Sequence, residues 1–251
     1  MDPHDAMKHS RRCFLQVAAA AAAGLAAGAL PHALHAQGSA SKSLKIGVIG
    51  SGRIGGTVGE LWVKAGHQVM FSSLDLAHDK ALAARVGAGA RAGTPKEAAA
   101  FGEVLLVSVP YSALPQLGRD LGDSLKGKIV LDTCNPIPGR DGDMALEARA
   151  KGTGVASPRL LPGARLVRAF NSVGHTSLRS EAHRSGERIA IPLAADDPVA
   201  LQTAARLVQD AGFEPVAVGP LARAKEFDPG APVFGRAMTA AELRRSLGIK
   251  P

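Results

Sequence analysis

The turn Gly50-Ser51-Gly52-Arg53-Ile54-Gly55 constrains this chain more than any other segment, because of what stands on either side of it. Before it, Lys45-Ile46-Gly47-Val48-Ile49 is a short apolar run with β-branched residues, the pattern of a buried strand in a domain that opens at Leu44. After it, Ile54, Val58, Leu61 and Ala65 recur at helical spacing, and Gly66 stands where a helix end favours glycine. A strand that enters a helix through GxGxxG uses its glycines for three purposes. Gly50 allows a tight turn, Gly52 allows backbone N–H groups to approach a ligand, and Gly55 allows close helix–strand packing. The helix start adds partial positive charge and free donors, which suits a phosphate. A glycine-rich loop that serves packing alone is the plainer reading of the same letters.

The alternation continues downstream. Gln68–Ser72 reads as a second strand, Asp75–Val86 as a helix, and Val104–Val109 as a continuous apolar strand of the kind covered on both faces. Lys128–Asp132, Leu166–Phe170 and Ile189–Ala194 repeat the pattern. Asp196-Asp197-Pro198 opens a helix through Gln209, with acids and a proline at the end where the helix dipole and the missing N–H favour them. Phe213–Val218 follows as a strand, and Thr239 with Glu242 forms a capping-box pattern before a final helix, Ala240–Leu247. Strands separated by helical segments predict an α/β fold with a doubly wound, mostly parallel sheet of Rossmann type. We assign residues 44–170 to the dinucleotide-binding part, residues 171–251 to a smaller C-terminal α/β part, and residues 37–43 to a linker of mostly small and polar residues.

Residues 1–36 read as a targeting segment. Ser10-Arg11-Arg12-Cys13-Phe14-Leu15-Gln16 resembles a twin-arginine export signal, and the uncharged, Ala-rich stretch Val17–Leu30 follows it. That stretch is shorter than the roughly 20 residues a membrane-spanning helix needs, so a permanent anchor is the lesser reading. A surface amphipathic helix fits poorly, because the stretch has no polar face. The small residue Ala36 before Gln37 offers a cleavage point. The expectation is export through the twin-arginine machinery to the periplasm or medium.

Residues 1–36 hold a net +1, so the remainder keeps +7 of the chain's +8. That charge is spread, with no run of consecutive basic residues after Arg12 and no aromatic interleaving, which argues against a nucleic-acid partner. Cys13 leaves with the targeting segment, and Cys134 alone cannot form an internal disulfide. His67 and His175 are isolated and no pair has metal-ligand spacing, so no metal site is expected. Cys134 has no histidine near it in sequence and reads as a small buried residue rather than a nucleophile.

The end of the second strand selects among dinucleotides. There the chain reads Phe71-Ser72-Ser73-Leu74-Asp75, where an NAD-binding domain commonly places an acid on the ribose hydroxyls. Ser72 and Ser73 can donate to a 2′-phosphate, and Arg53 can add charge from the turn, so NADP(H) is the expected cofactor. Asp75 has two open readings: N-cap of the next helix, or ribose ligand favouring NAD.

Taken together, Ile46–Gly56, Phe71-Ser72-Ser73, Ser108-Val109-Pro110-Tyr111, Leu131-Asp132-Thr133-Cys134-Asn135-Pro136, Ala169-Phe170-Asn171 and the segment Ala211–Leu221 resemble one family. It is that of the NADP-dependent reductases of the deazaflavin coenzyme F420 and their bacterial NADP-oxidoreductase relatives, and the resemblance spans about residues 44–235. One position departs: Leu74 stands where the family often carries arginine. The resemblance implies that Val109 and Pro110 line the dinucleotide and that Asn135 or Asn171 bonds the carboxamide or the acceptor, although proline and asparagine also simply end strands.

The expected cofactor-binding set is therefore Gly50, Ser51, Gly52, Arg53, Ile54, Gly55, Ser72, Ser73, Val109, Pro110 and Asn135, with no side chain assigned as catalytic. The expected activity is hydride transfer between NADPH and a small-molecule acceptor of deazaflavin or flavin type, which asks mainly for alignment. Two rivals stand beside it. One is an imine or carbonyl reductase similar to pyrroline-5-carboxylate reductase, with Tyr111 or Ser112 as proton donor. The other is a dinucleotide-binding module without turnover. A homo-oligomer is compatible with all three.

Overall fold

The computed structural model describes residues 42–250, so the targeting segment and the proposed cleavage point lie outside the described residues. In chain order the elements are β1 (Lys45–Ile49), α1 (Arg53–Lys64), β2 (Gln68–Ser72), α2 (Leu76–Val86), β3 (Ala90–Ala92), α3 (Pro95–Phe101), β4 (Val104–Val107) and α4 (Leu114–Leu121). They continue with β5 (Ile129–Asp132), α5 (Pro138–Lys151), α6 (Thr153–Leu160), β6 (Arg165–Arg168), α7 (His175–Ser180), β7 (Ala190–Ala195), α8 (Pro198–Asp210), β8 (Glu214–Gly219) and α9 (Ala240–Ser246). The strands form one eight-stranded sheet in the order β3-β2-β1-β4-β5-β6-β7-β8. It is the α/β, Rossmann-like architecture expected from the alternating pattern.

Every named pair in the sheet is parallel except β6 with β7, where Val167 faces Ala195 and Arg168 faces Ala194. An antiparallel neighbour starts near the end where its partner finishes, so residues 169–189 need not cross the sheet as the earlier helical connections do. Phe170 takes a left-handed conformation (φ 53°), which ends β6 at Arg168 rather than at Phe170. β4 likewise stops at Val107, short of the expected Val109. The Val109 N–H turns away to the Cys134 sulfur at 3.4 Å, and Pro110 has no N–H to give.

Alternation along the strands sorts the core onto two faces. Ile46, Val48, Val69 and Phe71 pack under α1, α2 and α8 with Trp62, Leu82, Leu207 and Val208. Ile49, Leu105, Val107 and Val130 pack on the other face under α3, α4 and α5 with Ala98, Leu114 and Ala148. A third cluster, with Val216, Val218, Phe227, Met238 and Leu243, covers the remaining face of β7 and β8. Buried Trp62 joins distant parts of the chain: its indole N–H donates to the Leu207 carbonyl at 2.7 Å, and its ring meets Phe170 edge-on at 6.0 Å. His67 is held between the Leu44 N–H, which donates to Nδ1 at 3.1 Å, and Asp210, which accepts from Nε2 at 3.0 Å. Among the described residues, no helix is long and apolar enough to cross a membrane.

Candidate functional site

A cleft of about 900 Å³ opens over the carboxyl ends of β1, β2, β3 and β4. Its walls come from the turn after β1, the segment Ser73–Asp75 after β2, Thr94–Lys96 at the start of α3, Ser108–Pro110 after β4, and the inward side of α4. β1 lies between β2 and β4, where the strand order reverses, and that is where an open parallel sheet presents a crevice for ligands.

The three glycines of the turn differ in what surrounds them. Gly50 sits at φ +96°, and a Cβ there would come within 2.2 Å of the Ser108 carbonyl oxygen. A Cβ on Gly55 would lie 2.1 Å from the Gly50 carbonyl oxygen, so the start of α1 rests directly on the turn. Gly52 differs from both, because it lines the cleft and a Cβ there would meet nothing within 4 Å. Gly52 is also the N-cap of α1 and supplies no side-chain cap, whereas α2, α3, α8 and α9 are capped by Asp75, Thr94, Asp197 and Thr239. The first N–H groups of α1 thus have no intrahelical acceptor and no side-chain cap, which fits a pyrophosphate seated over Gly52.

The remaining expected residues divide. Val109, Pro110 and Ser73 line the cleft. Arg53 is exposed at the first position of α1, and Ile54 is half-buried against the core. Ser51 turns its hydroxyl inward to the buried carboxylate of Asp79 on α2. Ser72 does not face the cleft: its side chain is buried within the sheet and donates to the Val48 carbonyl at 2.8 Å, so its expected role as a phosphate donor is corrected. Ser73 lies at the expected place, but its hydroxyl donates to Asp79 at 2.9 and 3.0 Å and accepts the Asp75 N–H at 3.1 Å. Asp75 is the N-cap of α2, receiving the His78 N–H at 3.0 Å, and it lines the cleft as well.

Asn135 and Asn171 stand at the ends of β5 and β6 in a separate polar cluster. The Asn135 amide oxygen accepts from Arg168 Nη2 at 2.7 Å, and its amide nitrogen donates to the Asn171 carbonyl at 2.8 Å. Asn171 in turn donates to the Phe227 carbonyl at 3.1 Å. At the centre is Arg168, buried and 3.3 and 3.2 Å from the carboxylates of Asp132 and Asp228. Asp228 also accepts from the Thr153 backbone N–H at 2.8 Å. Burial alone would lower the Arg168 pKa, but the two carboxylates outweigh it and push the pKa up. The Asn135 side chain is therefore occupied within the protein, and it is not among the residues that line the cleft.

The two expected proton donors are engaged elsewhere. Tyr111 is fully buried, its hydroxyl lies 3.3 Å from Ser157 Oγ, and burial pushes its pKa up to about 12. The Ser112 hydroxyl donates to Asp141 at 2.9 Å. Burial, with the charge of Asp132, holds the Cys134 thiol well above its ordinary pKa, which keeps it protonated and unreactive. Among the described residues no group of three His, Cys, Asp or Glu side chains is placed to hold a metal ion.

Sequence reading missed the wall made by Thr94, Pro95 and Lys96. The signal was present: Thr94 and Glu97 form a capping box with Pro95 at the first helical turn, the same pattern that marks α9. It also missed Gln116, Leu117 and Asp120 on α4, where no local motif announces that a helix faces a cleft.

Residues 45–136 match the family model described as NADP oxidoreductase, coenzyme F420-dependent. This segment contains the glycine turn, Ser73, Val109, Pro110 and Asn135. Among solved structures, a hypothetical protein from Sinorhizobium meliloti is similar with TM-score 0.67 and 24% identity, covering 79% of this chain and 96% of that one. A putative F420-dependent NADP-reductase from Arthrobacter has TM-score 0.59 and 18% identity, covering 73% of this chain and 88% of that one. An imine reductase variant from Myxococcus stipitatus in complex with NAD+ has TM-score 0.55 and 16% identity, covering 82% of this chain and 62% of that longer one. No curated protein matches the sequence. The structural likenesses agree with the Rossmann-like fold, and the family match makes the N-terminal part similar to NAD(P)-binding oxidoreductases.

Proposed function

We propose that this chain is an oxidoreductase that passes hydride between a nicotinamide dinucleotide and a small acceptor of deazaflavin or flavin type. One observation carries the reading: the uncapped start of α1 and the open face of Gly52 lie together in the cleft at the point where the strand order reverses. In this reading the turn and the α1 N-terminus hold the pyrophosphate, and Val109 and Pro110 provide an apolar wall for the nicotinamide half. The dinucleotide supplies the hydride chemistry, and the protein's part is alignment and exclusion of water. NADP(H) was the form expected from Ser72, Ser73 and Arg53. Of these, only Ser73 lines the cleft, and its proton is already committed.

The acceptor class rests on the family match and on the absence, among the described residues lining the cleft, of Tyr111 and of any histidine or cysteine that could serve as an acid. An imine or carbonyl reductase needs a proton at the reacting nitrogen or oxygen, and the two donors assigned to it face away. Single-turnover mixing of reduced dinucleotide, bound to the protein under anaerobic conditions, with a deazaflavin or flavin is the test. Oxidation of the bound cofactor supports the reading. Binding without oxidation by either acceptor points to a module without turnover.

We further propose that the chain is exported through the twin-arginine route, on the pattern Arg11-Arg12 with Phe14-Leu15. Arg11→Lys with Arg12→Lys should leave precursor in the cytoplasm on fractionation, and unchanged export of that double variant would refute the route.

A further inference from the structure

We propose that Asp79 is a positioning residue that shapes the ribose end of the cleft for a dinucleotide with a free 2′-hydroxyl, so that the chain takes NADH in preference to NADPH. The inference rests on the dinucleotide reading above and deepens it.

Asp79 is 0% exposed, yet among the described residues its recorded side-chain partners are two hydroxyls, those of Ser51 and Ser73. A buried carboxylate paired only with neutral donors is costly, so a function that needs it there is expected. Its position supplies one. Ser51 belongs to the glycine turn and Ser73 to the segment after β2, so one carboxylate on α2 ties the pyrophosphate side of the cleft to the ribose side.

The bonding capacity left over decides which ribose fits. Ser73 has one hydroxyl proton, given to Asp79, and its oxygen already accepts from the Asp75 N–H. Leu74 has no polar side-chain atom and is fully exposed. Asp75 uses Oδ1 on the His78 N–H, which leaves Oδ2 as an acceptor beside the cleft. This wall thus offers a side-chain acceptor and no free side-chain donor. A 2′-hydroxyl can donate to it, whereas a 2′-phosphate is an anionic acceptor and finds no free side-chain donor in Ser73–Asp75.

Charge points the same way. A 2′-phosphate at Ser73 would stand one hydroxyl away from the Asp79 carboxylate and close to Asp75. Two cations are near: Lys96 lines the facing wall, and Arg53 stands at the start of α1. Both are exposed, so solvent and salt screen them, while Asp79 is buried and screened much less.

The test is titration of the full mature chain with NADH and with NADPH by cofactor fluorescence, for the wild type and for Asp79→Asn, which removes the charge and keeps one oxygen acceptor. The wild type should bind NADH about tenfold or more tighter than NADPH, and Asp79→Asn should shift the ratio of dissociation constants toward NADPH by about tenfold. A purely structural role would weaken both nucleotides by the same factor and leave the ratio unchanged, which overturns the proposal. Equal affinity in the wild type, or a preference for NADPH, overturns it without any variant, so the inference is exposed even if Asp79→Asn fails to fold. Binding of neither nucleotide by the wild type removes the parent reading and this inference with it.

Discussion

Two groups of polar residues stand at the carboxyl edge of the same sheet and treat their hydrogen bonds in opposite ways. Over β1 and β4, the start of α1 lacks a side-chain cap and faces a cleft. Over β5 and β6, Arg168, Asp132, Asp228 and Thr153 bond to one another out of solvent, with half-buried Asn135 at their edge. Both contain motif residues of the kind that sequence reading assigns to a ligand. What separates them is leftover bonding capacity: donors withheld from the protein are available to a cofactor, and donors already paired hold the chain together.

The largest effect should come from the paired group. Arg168→Met leaves Asp132 and Asp228 buried without their cation and should cost about 3–5 kcal/mol of stability, measured by denaturant unfolding. A loss below about 1 kcal/mol, as expected of an exposed ion pair, would mean that water reaches this cluster and the contrast is false.

Next is Gly52→Val. A Cβ at Gly52 meets nothing within 4 Å, so the variant should stay folded with at most the modest loss of about 1 kcal/mol of a poorer N-cap, while dinucleotide affinity falls about a hundredfold or more, some 2.7 kcal/mol. Unchanged affinity would show that the cofactor is not seated over this turn. Gly55→Val is the sharpening control, because its Cβ strikes the Gly50 carbonyl and should disrupt the fold itself.

Tyr111→Phe deletes one buried hydroxyl bonded to Ser157 and should cost about 1 kcal/mol of stability. With Tyr111 turned away from the cleft, the single-turnover hydride step should stay within about tenfold of wild type. A loss of several hundredfold with normal binding would bring back the imine or carbonyl reductase reading.

The smallest effect concerns acid. Burial alone would raise the Asp141 pKa, but hydrogen bonds from Arg140, the Ile137 N–H and Ser112 outweigh it and hold the carboxyl well below its usual range. A depressed carboxyl contributes stability that is present above its unfolded pKa of about 3.9 and is lost as pH falls toward the folded value. Thermal melts between pH 7 and pH 3 should therefore fall less steeply below pH 4 in Asp141→Asn than in the wild type. Parallel curves would mean that Asp141 contributes nothing to acid sensitivity.

Much of the architecture was legible along the chain. β1, β2, the cap at Asp75, the helix opening at Asp197-Pro198 and the capping box at Thr239 depend on residues within one turn or one strand of each other. Other pieces were not. β3 has three residues and α3 seven, too few for a period to declare itself, and α5 carries a non-helical Gly142 that interrupts its pattern.

The candidate site divides along the same line. The sequence by itself determined where backbone must turn and where helix must rest on strand, because Gly50 turns at φ +96° and Gly55 lies against the Gly50 carbonyl five residues back, whereas the contact of Gly50 with Ser108 is made only by folding. Only the tertiary structure decided which polar groups stay available. Ser72 gives its proton to Val48 24 residues back, Ser73 gives its own to Asp79 from the next helix, and Asn135 is taken by Arg168 33 residues on. A hydroxyl or an amide carries the same chemistry at any position in a chain, and its freedom to meet a ligand depends on partners that only folding brings within 3 Å.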